Sequence, residues 1–330
     1  MLNHRSRNDA ADAFLNANTQ HSDKTIRHGY HEAYGPLLLP YLNAPAHVLE
    51  IGIQNGESLE MWRRMFPQLL LTVGIGYGPG RAVEGGFKHD HGGGVVTYYG
   101  DQSDPVFLSR LIKDLNGTQF DVIIDDGSHV PWHNIFTLEL LFDEVLAPGG
   151  LYVIEDMETS YWDGPKANLY GMYDIHAGPG THGSAIEKLK YIPDVLNRKF
   201  LNDPSFSVLR GGIDHMVASI TFGRNCVALV KKDPTRWDKL DATLDAPMPY
   251  QSSRNVRTYG TRLNPNRTSY RAFKAAANWQ VTGTPEIDSP AEAERAAAEI
   301  ATSIFIKVAG RSEASRHVCL RLRTNLPVSY

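Results

Sequence analysis

Between Pro45 and about Lys232 the chain switches repeatedly between two hydrophobic periods. Short runs rich in β-branched and aromatic residues predict strands over 47–53, 69–75, 95–99, 120–125 and 150–155. Helical spacing returns between them. Over 57–66, Leu59, Trp62 and Phe66 share one face, and Pro67 ends the run. Over 104–115, an Asp followed by Pro makes a helix start. Over 132–146, Ile135, Phe136, Leu140, Leu141 and Val145 keep helical spacing up to a stop at Pro148-Gly149-Gly150. A longer helical stretch is expected over 184–200. Strand–helix alternation with nearly continuous apolar strands predicts an α/β fold, a mostly parallel sheet with helices on both faces.

The end of that sheet is informative. Two β-rich runs, 215–222 and 226–231, are separated only by Gly223-Arg224-Asn225. So short a connection joins only antiparallel neighbours. The sheet is therefore expected to have seven strands and to finish in an antiparallel hairpin, which a dinucleotide-binding sheet does not need. Residues 1–20 are polar without clear period and read as a tail or a loose first helix. From 233 to 288 the composition shifts to Pro, Asn, Arg, Ser and Thr, as in a linker. Ser289-Pro290-Ala291-Glu292 then forms a helix start, followed by an Ala-rich run to Val308 and a basic tail. The expected division is a helical segment or lid over 1–44, the α/β domain over 45–232, and linker, helix and tail over 233–330.

Composition narrows the class. Lys plus Arg is 33 and Asp plus Glu is 37, a net charge of −4 over 330 residues. That balance argues against a broad basic face for nucleic acid. Cys226 and Cys319 are the two cysteines, too few for a disulfide framework or a cysteine-based zinc site. No apolar run reaches the ~20 residues of a membrane span, and residues 1–5 lack a signal-like apolar stretch. A cytoplasmic protein without nucleic-acid or membrane partners is expected.

Three segments carry candidate chemistry. In Glu50-Ile51-Gly52-Ile53-Gln54-Asn55-Gly56-Glu57-Ser58, an apolar strand reaches an acid, then a glycine turn, then a helix. Glycines let a ligand approach the backbone, and the helix offers free N–H groups. The G-x-x-x-G spacing lacks the middle glycine of a dinucleotide turn. In Phe120 to His129, an apolar strand ends in Asp125-Asp126-Gly127-Ser128-His129; in Tyr152 to Glu158, another ends in Glu155-Asp156. Ligands in open α/β sheets sit at such carboxyl ends. If the two strands are neighbours, Asp126, Glu155 and Asp156 converge. Their mutual repulsion is relieved by a hard divalent ion such as Mg²⁺.

The order of these elements resembles S-adenosylmethionine (SAM)-dependent, Mg²⁺-dependent O-methyltransferases of class I, in particular the macrolide and antibiotic sugar O-methyltransferases. The matching runs are Ser22-Asp23-Lys24, His28-Gly29-Tyr30, Leu49-Glu50-Ile51-Gly52, Ser58-Leu59-Glu60-Met61-Trp62, Gly100-Asp101-Gln102-Ser103-Asp104, Asp126-Gly127-Ser128-His129 with His133, and Ile154-Glu155-Asp156. The likeness spans roughly residues 20–232. It implies a methyl transfer from SAM to a hydroxyl of a small glycoside. It implies Glu50, Gly52, Gln54, Gly56 and Ser58 on the methionine side of the donor, Asp101 and Gln102 at the adenine, and Asp126 shared with the metal. It further implies Asp126, Glu155 and Asp156 as Mg²⁺ ligands and His129 as general base. Tyr161, Trp162 and His133 would then line the acceptor pocket. The N-terminal segment and the Ala-rich helix are candidates for homo-oligomer contacts.

One departure stands out. The family usually places an acid at the end of the second strand, where it holds the donor ribose; here Gly76 stands, with Glu84 as a substitute nearby. His89 and His91, in the Gly-rich stretch that follows, are expected on a surface loop. The rival readings are a cephalosporin-hydroxylase-like enzyme and a SAM-fold binding protein with little turnover.

Overall fold

The computed structural model describes residues 4–18, 22–78, 87–162, 177–181, 183–198 and 205–235. The chain divides into two compact units, Met1–Thr284 and Pro285–Tyr330. The second unit lies outside the described residues, as do Glu84, most of the expected linker and the Ala-rich helix. The account below concerns the first unit.

The elements in chain order are α1 (His4–Ala17), α2 (Asp23–Ile26), α3 (Tyr30–Ala33), a 3₁₀ turn (Gly35–Tyr41), β1 (Ala46–Ile51), α4 (Glu57–Met65) and β2 (Leu69–Gly76). Then come β3 (Lys88–Gly92), β4 (Val95–Tyr99), α5 (Pro105–Leu115), β5 (Phe120–Asp125), α6 (Pro131–Glu144) and β6 (Leu146–Ile154). The series ends with α7 (Ala185–Leu189), α8 (Ile192–Leu196), β7 (Val217–Gly223) and β8 (Cys226–Lys231). They build an eight-stranded sheet in the order β3-β4-β2-β1-β5-β6-β8-β7. β4, β2, β1, β5 and β6 run parallel; β3 and the β7–β8 hairpin run antiparallel to their neighbours.

Strand periodicity sends alternate side chains to opposite faces. Leu49 and Ile51 of β1 and Ile123 of β5 join a core with Phe107, Leu111, Leu138 and Phe142 of α5 and α6. Val48 of β1 and Val122 and Ile124 of β5 join a second core with Phe14 of α1 and Trp62 of α4. Local chemistry starts and stops the helices. Asp104 accepts a hydrogen bond from Val106 N at 2.8 Å, Pro105 takes the first position of α5, and Asn116 ends it in left-handed geometry.

Three expectations change, and one open alternative is decided. The sheet has eight strands rather than seven, because Lys88–Gly92 in the Gly-rich stretch pairs with β4 as an edge strand. Its polarity hid it: an edge strand exposed on both faces needs no apolar alternation. Pro148-Gly149-Gly150 does not stop a helix; α6 ends at Glu144, and these residues lie inside β6 at a register shift, with Gly149 at φ +77°. The stretch 184–200 forms two short helices within its described part, broken around Lys190 and Tyr191. Residues 4–17 are a real helix, whose Phe14 meets Tyr34 and Trp62 edge-on, each at 5.5 Å between ring centres.

Candidate active site

The carboxyl ends of β1, β5 and β6 lie side by side, Ile51 against Asp125 and Asp125 against Ile154. The start of β8 abuts the same end, since Val227 pairs with Ile154. That edge opens into a cleft of about 720 Å³, floored by Gly52, Asp126 and Gly127 and walled by Gln54, Tyr99 and Gln102.

The floor is backbone brought unusually close. Gly52 has φ +92°, and a Cβ there would lie 1.8 Å from the carbonyl oxygen of Asp126. Gly127 faces Gln102 Oε1 in the same way, at 1.9 Å from a virtual Cβ. Gln102 explains the approach: it accepts from Ser128 N at 2.6 Å and donates to Asp125 Oδ1 at 3.1 Å. Asp125 also accepts from Asn134 Nδ2 at 3.2 Å, and burial pushes its carboxyl up to about 6. Gln102 thus fastens the tip of β5 while one side of it still lines the cleft. Asp101 lines the cleft too, its Oδ1 accepting from Ser103 N and Oγ.

Gln54, Ser58 and Asp126 reach the cleft as well. Glu50 and Gly56 do not line it. Glu50 is fully buried and accepts from Ser58 Oγ at 2.5 Å and Trp62 Nε1 at 3.0 Å, so it braces the glycine turn from behind. Gly56, at φ +89°, immediately precedes α4 and borders a neighbouring cavity with Arg63 and His91. At the end of β2 stands Gly76, and the atoms nearest to where its Cβ would be belong to Tyr99 and Ile53. The Tyr99 ring occupies that space, 2.8 Å from where a Cβ would be.

The acids sort themselves unexpectedly. Ligand atoms of Asp126, His129 and Asp156 all lie within 4.8 Å of one another at the cleft. Glu155 is not in that group. Its carboxylate is 1% exposed and turned inward, one oxygen bound by Lys24 Nζ at 2.5 Å and the other by the Tyr34 hydroxyl. Asp156 sits at φ +51° with Oδ1 held by Tyr30 Oη at 2.5 Å and Asn225 Nδ2 at 3.1 Å; its Oδ2 lies 3.8 Å from His129 Nε2. His129 also takes left-handed backbone, φ +57°, and Thr159 Oγ1 donates to its carbonyl. Non-glycine residues in this region mark positions the surroundings over-determine.

The expected acceptor residues separate from this group. His133 is buried behind the cleft, 2.7 Å from Ser128 Oγ and edge-on to Trp132, and burial pushes its imidazole down to about 4. Trp162 packs near Val130 and Ala177, while Tyr161 is half-exposed; neither lines the cleft. Ser22, Asp23, Lys24, Ile26 and Arg27 line it instead. The roles of Lys24, Tyr30, Tyr34 and Asn225 were missed, although Ser22-Asp23-Lys24 and His28-Gly29-Tyr30 were matching runs. A cation and two phenols some hundred residues before their partners give no local signal.

The donor set at the cleft suits a hard cation, with two carboxylates and an imidazole alongside. The glycine floor suits a ligand pressed against backbone.

Together the strand order and the closing hairpin define a class I methyltransferase fold. The relatives of the chain are O-methyltransferases. Mycinamicin VI 2''-O-methyltransferase of Micromonospora griseorubida is 33% identical over 226 residues, covering 66% of this chain and 49% of that protein. The 8-demethyl-8-alpha-L-rhamnosyl tetracenomycin-C 2'-O-methyltransferase of Streptomyces olivaceus is 38% identical over 160 residues, covering 46% of this chain and 38% of that one. Among solved structures, MycE methyltransferase from the mycinamycin pathway, in complex with Mg, SAH and mycinamycin VI, superposes with a TM-score of 0.52. It is 25% identical, over 73% of this chain and 57% of MycE. No family model matches the sequence. The chain thus spans less than half the length of these two curated relatives. No helix among the described residues is long and apolar enough to cross a membrane.

Proposed function

We propose that this chain transfers a methyl group from SAM to a hydroxyl of a sugar on a glycosylated natural product, with Mg²⁺ at the Asp126–Asp156 edge of the cleft and His129 as the base. The observation that carries this reading is continuity. The cleft floored by Gly52 and Gly127 runs without interruption into the cluster of Asp126, His129 and Asp156. The MycE complex, with Mg, SAH and mycinamycin VI together, supports the same combination of ligands.

The residues divide the work. Gly52 and Gln54 admit the donor against the end of β1, and Ser58 presents the N-terminal side of α4 to it. Bound Mg²⁺ supplies Lewis acidity that makes a coordinated sugar hydroxyl easier to deprotonate. Asp126 and Asp156 would hold that ion through carboxylate oxygens. His129 Nε2, beside Asp156, accepts the hydroxyl proton. The acceptor oxygen forms its bond to the methyl carbon as the carbon–sulfur bond breaks; the electron pair leaves with sulfur as the neutral thioether. The proton stays on His129 until solvent takes it.

Mass analysis of products tests the reading. The chain is incubated with SAM, Mg²⁺ and a panel of glycosides, aerobically and anaerobically. A gain of one methylene unit in both conditions supports it. Oxygen-dependent gain of an oxygen atom would favour the hydroxylase alternative, and SAH binding without any product would favour a binding protein.

A further inference from the structure

Beside the donor cleft lies a second cavity, of about 470 Å³, that the proposed reaction does not use. The two share Ile53, Gln54 and Tyr99 as a common wall. Alternation along β4 turns Val95, Thr97 and Tyr99 toward the second cavity. Arg63 of α4 and His91 of β3 border it from the helix and from the edge strand. Its one acid, Glu60, is paired with Arg64 at 3.2 Å. Arg63 enters no ion pair among the described residues. Its guanidinium reaches across to the β3–β4 turn, where Nη2 lies 3.7 Å from the place a Cβ of Gly93 would take. His91 Nε2 lies 2.9 Å from Thr97 Oγ1, which fastens the imidazole beside the same space.

The wall between the two spaces is where an adenosine ribose is read in open α/β sheets. An acid at the end of the second strand holds the ribose hydroxyls there, and an arginine in the same neighbourhood accommodates a ribose phosphate instead. In this chain β2 ends in Gly76, so the strand end itself projects no carboxylate toward a phosphate. The Tyr99 ring lies 2.8 Å from where a Cβ of Gly76 would begin, and it lines both the donor cleft and the second cavity. A substituent on the ribose that passes this ring enters a space whose uncommitted charge is a guanidinium, the group best matched to phosphate oxygens.

We propose that the second cavity is a phosphate subsite of the adenosyl cleft: an adenine nucleotide phosphorylated on its ribose 2′ or 3′ oxygen binds with its adenosine beside Tyr99 and its phosphate against Arg63 and His91. The inference rests on the donor-cleft reading above for where the adenosine lies, and goes beyond it in the ligand. Such a nucleotide occupies the adenosine half of the cleft and so excludes SAM.

Calorimetry on the full chain, without added metal, compares adenosine, adenosine 2′-phosphate, adenosine 3′-phosphate and SAH. One of the two phosphates is expected to bind about tenfold or more tightly than adenosine and to be displaced by it. Most of that margin should vanish between ~50 mM and ~500 mM salt, since the charges involved are solvent-accessible. Arg63→Gln, at an exposed position that leaves the fold intact, should bring the phosphorylated and plain nucleosides within about threefold of each other while SAH affinity stays within about threefold. His91→Gln should remove a smaller part of the margin. Gly76→Asp/Tyr99→Ala sets a carboxylate at the strand end in the space the ring now holds, and should reverse the order, with adenosine tighter than either phosphate. Adenosine binding as tightly as both phosphates would overturn the proposal. So would a margin that survives Arg63→Gln, or phosphate binding that adenosine does not displace. A protein that holds the phosphorylated nucleotide through Arg63 and fails to bind SAH would keep this subsite and lose the donor reading; SAH binding without any phosphate preference would do the reverse.

Discussion

At Gly52 a single hydrogen, where any other residue carries a carbon, lets the end of β1 lie against the Asp126–Gly127 backbone. The φ of +92° and a virtual Cβ 1.8 Å from the Asp126 carbonyl make the position strained and blocked for every other residue. Gly52→Ala is expected to cost about 1–3 kcal/mol of stability and to weaken SAH binding at least about tenfold by calorimetry. His129 has a different signature. His129→Ala should lower kcat by about 10²–10⁴-fold, as loss of a general base does, while SAH affinity stays within about threefold. Equal turnover in the two proteins would remove the base assignment. His133, a few residues away, has a structural pH signature instead. Its folded pKa of about 4 lies below the ordinary unfolded histidine value, so between pH ~6.5 and ~4 the unfolded chain binds the extra proton. The contribution is present above pH ~6.5 and is lost as pH falls through that window. Asp125, raised to about 6, works in the opposite direction over part of the same range, since its folded form holds the proton longer. Comparing denaturation of His133→Gln with the unaltered protein isolates the histidine: the difference in slope should approach about 1.4 kcal/mol per pH unit.

At the scale of elements, legibility tracks burial. β4, β5 and β8 lie where their apolar runs predict them, because strands packed on both faces leave an uninterrupted apolar trace. β3 escaped notice because an edge strand carrying Lys, His and Asp has no face to bury. α1 was legible only as a tail or a loose first helix, for a related reason: its buried residues Ala10, Phe14 and Ala17 are small and sparse apart from the one aromatic. That aromatic is nevertheless central to the packing of the N-terminal segment. Phe14 lies between Tyr34, which binds Glu155, and Trp62, which binds Glu50. Phe14→Ala is expected to cost about 3–5 kcal/mol in chemical denaturation. Because Tyr34 would lose its backing, SAH affinity should fall as well. A stability loss near zero would mean that α1 is not held against α4.

For the whole molecule, the proposed reaction requires the cleft and the cation cluster together. Chelation with EDTA is expected to stop methyl transfer and added Mg²⁺ to restore it, while SAH binding changes by no more than about threefold, since the glycine floor needs no ion. The sequence by itself determined the sheet apart from its polar edge strand β3: strand–helix alternation, the short turn that forces the closing hairpin, and acids placed at strand ends are all local patterns, written within a few residues of where they act. It also determined the resemblance that pointed to Asp126, Glu155 and Asp156 as metal ligands and His129 as base. Only the tertiary structure decided which partners each acid meets. Glu155 and Asp156 are neighbours in the chain and equivalent to any local reading. They part company because Lys24 and Tyr34 reach one, while Tyr30 and Asn225 reach the other. Partners separated by scores of residues leave no trace in periodicity or composition, so the division of labour at the site appears only when the chain is folded.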